Sequence, residues 1–127
     1  MKTKRINAED GAEALGAYVQ ALEVSGTSRR LYISGQGPVA ADGTVPDTFA
    51  EQAEAVWSNI LAQLRAADMD VENIVKATTF LADRKFRDEN RDVRVKMLDG
   101  HTFALTVVLA GMFKEGWFLE IEAIAEK

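Results

Sequence analysis

The sequence predicts an α+β fold in which two helices cover one face of a mixed sheet. Three observations point there: two stretches with helical spacing lie among short β-rich runs, the first is entered through a recognisable cap, and the last segment alternates with a period of two. The 127 residues fit one domain, 1–127, with no Pro/Ser-rich linker, low-complexity segment or long repeat to divide them. A chain of this size buries roughly two-thirds of the surface its unfolded form exposes, so it needs neither disulfides nor a structural metal. It contains no Cys, which removes iron–sulfur, thiol-redox and cysteine-nucleophile chemistry.

Residues 17–24 alternate loosely, and Arg30-Leu-Tyr-Ile-Ser-Gly35 is a short β-rich run, so both read as strands around the turn-like Ser25–Ser28. Asp42-Gly43 marks a tight turn. From Thr48 the period changes, with Phe49, Ala53, Val56, Trp57, Ile60, Leu64 and Ala67 recurring at three and four residues, which predicts a helix to about residue 68 with Trp57 in the core. Its entry, Thr48-Phe-Ala-Glu51 behind Pro46, has the form of a capping box.

Residues 74–81 are β-branched and half-apolar, predicting a strand, and a polar helix fits 86–98 with Gly100 at its end. The inward stripe of that helix is Phe86, Asn90, Val93 and Met97, so an Asn stands where an apolar residue is expected. Two strands close the chain, 103–110 and 117–125. In the second, Leu119, Ile121, Ala123 and Ala125 share one face and Phe118, Glu120, Glu122 and Ile124 the other. The order is β-β-β-α-β-α-β-β. The sheet face away from the helices is expected to be apolar and to be covered by self-association.

Fifteen Lys and Arg against 20 Asp and Glu give a net charge of −5, which argues against a nucleic-acid partner, because phosphate binding needs clustered cations. The opening MKTKRINAEDG lacks the apolar core of a secretory signal, and no apolar run reaches the length of a membrane span, so a cytoplasmic chain without a membrane partner is expected. A single histidine, His101, excludes a multi-histidine metal site. It follows Gly100 at a helix end, an ordinary place for a loop histidine. No metal or other cofactor is expected.

Gly16-Ala-Tyr18-Val-Gln20, Leu31-Tyr-Ile-Ser-Gly-Gln-Gly-Pro-Val39, Glu51-Gln52 with Asn59, Ile74-Val-Lys-Ala-Thr-Thr-Phe-Leu81, Phe86 with Asn90, and Glu120-Ile-Glu-Ala-Ile-Ala125 occur in that order. Together they resemble the RidA/YjgF family of reactive-intermediate (imine/enamine) deaminases over nearly the whole chain. The resemblance implies a chorismate-mutase-like fold assembled as a homotrimeric barrel, with three ligand clefts between subunits. It also implies an Arg, in a Pro-Ala-Arg-Ser-Cys-Val segment, that pairs with the carboxylate of a 2-imino acid whose hydrolysis releases ammonia.

Placed by the ungapped run to Glu120, that segment is Phe103-Ala104-Leu105-Thr106-Val107-Val108, so the Pro, Arg and Cys positions hold Phe103, Leu105 and Val107. Removing one partner of a buried guanidinium–carboxylate pair costs about 2–5 kcal/mol, or roughly 30-fold to several-thousand-fold in binding or rate. The Arg-dependent reaction is therefore expected to be absent or very weak, and the cleft is expected to favour something less anionic or more apolar, with Phe103, Leu105 and Val107 forming apolar wall beside Thr106.

Tyr18, Ser34, Gly35, Asn90 and Glu120 match family cleft positions, and Phe86 accompanies Asn90. Glu120 is the surviving acid/base candidate; the plainer reading is a structural carboxylate at a subunit interface. Asn90 would then only cap a loop, and Tyr18 only pack. The mixed-charge run from Asp83 to Asp92 reads as a solvated face with weak ion pairs. The sharper alternative is that Arg87, Arg91 or Arg94 enters the cleft in place of the missing Arg. The expected function is small-metabolite binding between subunits without Arg-dependent 2-imino acid deamination. The alternatives are a hydrolase or deaminase of altered substrate using Glu120 and water, and a non-catalytic interaction or chaperone-like trimer. Ribonuclease labels have been attached to the family, but the acidic balance and the absence of a His pair give them no support here.

Overall fold

The computed structural model describes residues 1–127 as eight principal elements: β1 (Lys2–Ile6), β2 (Ala21–Ser25), β3 (Arg30–Gln36), α1 (Phe49–Ala66), β4 (Ile74–Leu81), α2 (Arg87–Met97), β5 (Ala104–Leu109) and β6 (Leu119–Glu126). This is the expected α+β order. Strands β3, β6, β4 and β5 form a four-stranded sheet in that spatial order, mixed because β4 and β5 run parallel while the other pairs are antiparallel. The sheet is smaller than the strand count suggests, since β1 and β2 pair only with each other, from Lys2 opposite Ser25 to Ile6 opposite Ala21. The strand expected over 17–24 begins only at Ala21. Residues 17–20 approach as a loop that meets the main sheet at Val19, whose N–H donates to the Phe103 carbonyl at 3.2 Å.

Helix α1 follows its pattern closely. Phe49, Ala53, Val56, Trp57, Ile60 and Leu64 are all buried on one stripe, and together with Leu119, Ile121, Ala123 and Ala125 of β6 they belong to one core. Thr48 caps the helix by accepting the Glu51 N–H at 3.3 Å. Only this half of the expected capping box forms. Gln52 is 1% exposed and fully employed: its amide donates to the carbonyls of Pro46 at 2.9 Å and Gly116 at 2.8 Å and accepts the Phe118 N–H at 2.8 Å. It ties the helix to the loop that leads into β6.

Helix α2 is the crossover between the parallel strands β4 and β5 and packs beside α1. Phe86 stacks on Phe49 with ring centroids 4.4 Å apart and lies 5.0 Å from Phe118, fixing the start of α2. The uncovered sheet face is not the apolar surface expected from sequence. The strand registers place Lys76, Thr78, Thr106 and Glu122 on it beside Phe80, Val108 and Ile124, and Lys76 donates to the Thr106 hydroxyl at 2.9 Å. Exposed apolar groups concentrate instead on the edge strand β5, where Leu109 is 49% exposed, and at Phe113, 91% exposed. No helix is long and apolar enough to cross a membrane.

Candidate functional site

A cavity of about 310 Å³ opens between α2, β5 and the segment before β2, and it gathers Tyr18, Asn90, Leu105 and Val107. Leu105 and Val107 face it together because alternate residues of a strand share a side. Asn90 reaches it from α2, and residues three and four positions away on the same helical face follow. These are Arg87 and Arg94, and both line the cavity, as does Arg91, the residue after Asn90. The Tyr18 hydroxyl accepts the Leu15 N–H at 3.3 Å, folding the preceding loop over one wall.

Two of these groups are buried without a partner. Asn90 is 3% and Arg94 5% exposed, and neither side chain makes a hydrogen bond or ion pair within the chain. Arg91, by contrast, pairs with Asp92 at 3.2 Å and lies 3.8 Å from Asp88. Burial first, and then the like charge of Arg91, lower the Arg94 pKa from the usual guanidinium value. The mixed-charge run is thus solvated only in part. Among the three arginines of the sharper alternative, Arg94 is the one that is buried, and its position one turn beyond Asn90 on the inward face singles it out.

Glu120 belongs to a second cavity, of about 470 Å³, which it lines with Gly35, Phe80, Gly111, Met112 and Glu122. Ser34 and Gly35 sit in a β-bulge, where the pairing of β3 with β6 shifts between Ile33 and Gln36. A Cβ at Gly35 would run into the Glu120 carboxyl group, so only glycine allows this approach.

The two cavities lie on opposite faces of the same sheet. On β4, Ala77 is the partner of Leu105 and Phe80 the partner of Glu120. Residues 77 and 80 are an odd number of positions apart and point to opposite sides. Within one chain, therefore, Tyr18, Asn90, Leu105 and Val107 come together, Gly35 and Glu120 come together beside Ser34, and the two sets do not meet. The remaining residues named from sequence lie elsewhere: Phe86 is in the aromatic stack, Phe103 is buried in the core, and Thr106 is on the Glu120 side of β5. His101 Nε2 is 2.9 Å from the Ile74 carbonyl, a structural contact.

The mixed sheet, its two-helix cover and the separate N-terminal ribbon define an α+β protein of the YjgF/L-PSP fold. The chain belongs to the RidA/YjgF family, since the model of the family described as Endoribonuclease L-PSP matches residues 9–127. It is 37% identical over 124 residues to the 2-iminobutanoate/2-iminopropanoate deaminase of Bos taurus, covering 96% of this chain and 88% of that one. Among solved structures, the Yersinia pestis YyfB protein, a Rid-family protein of unknown function, superposes over the full length of both chains with a TM-score of 0.88 at 21% identity. Escherichia coli TdcF with bound serine is 30% identical, with a TM-score of 0.74 over 98% of each chain.

Proposed function

We propose that this chain assembles as a homotrimer and binds a small metabolite in clefts where the Asn90 face of one subunit meets the Glu120 face of the next. We further propose that it does not carry out 2-imino acid deamination through an Arg at position 105. The observation that carries this reading is the division of the cleft residues between opposite sheet faces, which makes the site incomplete in one chain. The exposed apolar edge of β5 supports a second copy there, because an unpaired, apolar sheet edge is otherwise an aggregation liability. The serine bound to the TdcF relative supports a ligand of metabolite size.

Leu105 supplies neither charge nor donor where the family's guanidinium stands, so the interaction that holds the imino acid for hydrolysis is missing at that position. A second reading, hydrolysis of another substrate through Glu120 and water, is favoured by the open space beside Glu120 and the glycine that admits its carboxylate.

Incubation with freshly generated 2-aminoacrylate is the test. Ammonia release is expected to stay at the uncatalysed rate, and Leu105→Arg is expected to raise it by about 30-fold or more, the equivalent of at least about 2 kcal/mol. Rapid, Glu120-dependent release by the unmodified protein would overturn the loss of activity. A monomer at micromolar concentration in sedimentation equilibrium would overturn the shared cleft.

A further inference from the structure

We infer that Arg94 is the residue that holds the ligand's anionic group, so that the cleft takes a small carboxylate anchored from α2 rather than from β5. This rests on the cleft reading above and names its ligand class. A guanidinium taken out of water is costly unless an anion and its hydrogen bonds replace the lost solvation. At Arg94 the chain offers neither, although it carries 20 carboxylate side chains and a net charge of −5. None of those carboxylates lines the cavity, whereas three arginines do. An unpaired buried cation in a cavity whose charged side chains are all arginines is an arrangement that an incoming anion completes.

Asn90 adds direction. It lies one turn before Arg94, is buried, lines the same cavity and makes no side-chain hydrogen bond within the chain. A planar guanidinium fork with an adjacent amide donor matches the two oxygens of a carboxylate better than the tetrahedral charge of a phosphate. Leu105 and Val107 form the apolar side of the same cavity, and an apolar wall strengthens charge-assisted hydrogen bonds by excluding water. Arg91, already paired with Asp92 and Asp88, contributes to the field but is not free in the same way.

Anchoring from position 94 also bears on the chemistry. A carboxylate drawn toward the helix does not present its reacting carbon as one drawn toward position 105 does, and misplacement by about 1 Å can cost 100-fold in rate. Binding of short 2-oxoacids and 2-imino acids without rapid turnover follows.

Calorimetric titration of the intact protein provides the test, with 2-oxobutanoate, its neutral amide and inorganic phosphate as probes. 2-Oxobutanoate is expected to bind, more weakly as salt rises, and at least about tenfold more tightly than either the amide or phosphate. Arg94→Gln is expected to lose at least about tenfold in affinity for 2-oxobutanoate, with Arg94→Lys in between. Both variants should keep the assembly mass, and unliganded Arg94→Gln should melt no lower than the unmodified protein. Equal affinity for acid and amide, or for the unmodified protein and Arg94→Gln, overturns the role of Arg94 and leaves the shared cleft standing. A large loss of unliganded stability or of assembly in Arg94→Gln also overturns it, since the guanidinium would then be paired between subunits. If the unmodified protein binds none of the three probes, the cleft reading falls as well.

Discussion

Gln52 on α1 and Asn90 on α2 are both buried amides, 1% and 3% exposed, on helices that pack side by side over one sheet. Gln52 makes three hydrogen bonds that close the chain on itself, to Pro46, Gly116 and Phe118. Asn90 makes none, and Arg94, one turn further on, makes none either. The fully buried polar atoms that lack a partner are the Trp57 indole nitrogen and the Thr79 hydroxyl; the Asn90 and Arg94 head groups instead open on the cavity they line, where an incoming group can bond them. On the α1 side the Gln52 amide is satisfied within one chain, although the Trp57 indole N–H on the same helix has no partner; on the α2 side the proposed ligand would supply the partner that Asn90 and Arg94 lack.

That contrast is open to mutation. The largest effect is expected at Gln52. Gln52→Leu keeps the volume but leaves the Phe118 N–H and two carbonyls without partners, and at about 1–3 kcal/mol for each buried group the loss should be about 3 kcal/mol or more in urea unfolding. A neutral result would erase the contrast. Thr48→Ala removes the cap that starts α1 and should cost about 1 kcal/mol in the same assay. Gly35→Ala sharpens the comparison from the other sheet face. Its added methyl displaces the end of a flexible side chain, so stability should fall by less than about 1 kcal/mol. A crystal structure of this variant should show the Glu120 carboxylate moved out of its cavity.

Much of the α1 side was legible in the sequence because burial there imposes a stripe and a cap leaves a local signature. The alternation of β6 was legible for the same reason, with Leu119, Ile121, Ala123 and Ala125 all buried. The place of strand β1 was not, although the order counts three strands before α1, since Lys2–Ile6 is exposed along its length and no core requires a pattern of it. The site was legible as a set of residue types and illegible as a geometry. Periodicity places residues on the faces of their own strand, but only register between strands reveals that Leu105 and Glu120 lie on opposite sides of the sheet. Arg94 reads from sequence only as an alternative, because burying a guanidinium without a partner contradicts the usual balance of solvation.

The unfolding free energy of Asn90→Leu, measured without ligand and at one protomer concentration beside the unmodified protein and Gln52→Leu, reports whether the α2 side is held open for a ligand. If the α2 side is held open for a ligand, Asn90→Leu removes a buried amide that bonds to nothing and should be neutral within about 0.5 kcal/mol or stabilising. A loss of about 2 kcal/mol or more, comparable to that of Gln52→Leu, would show that the assembled protein already employs this amide and would contradict the claim.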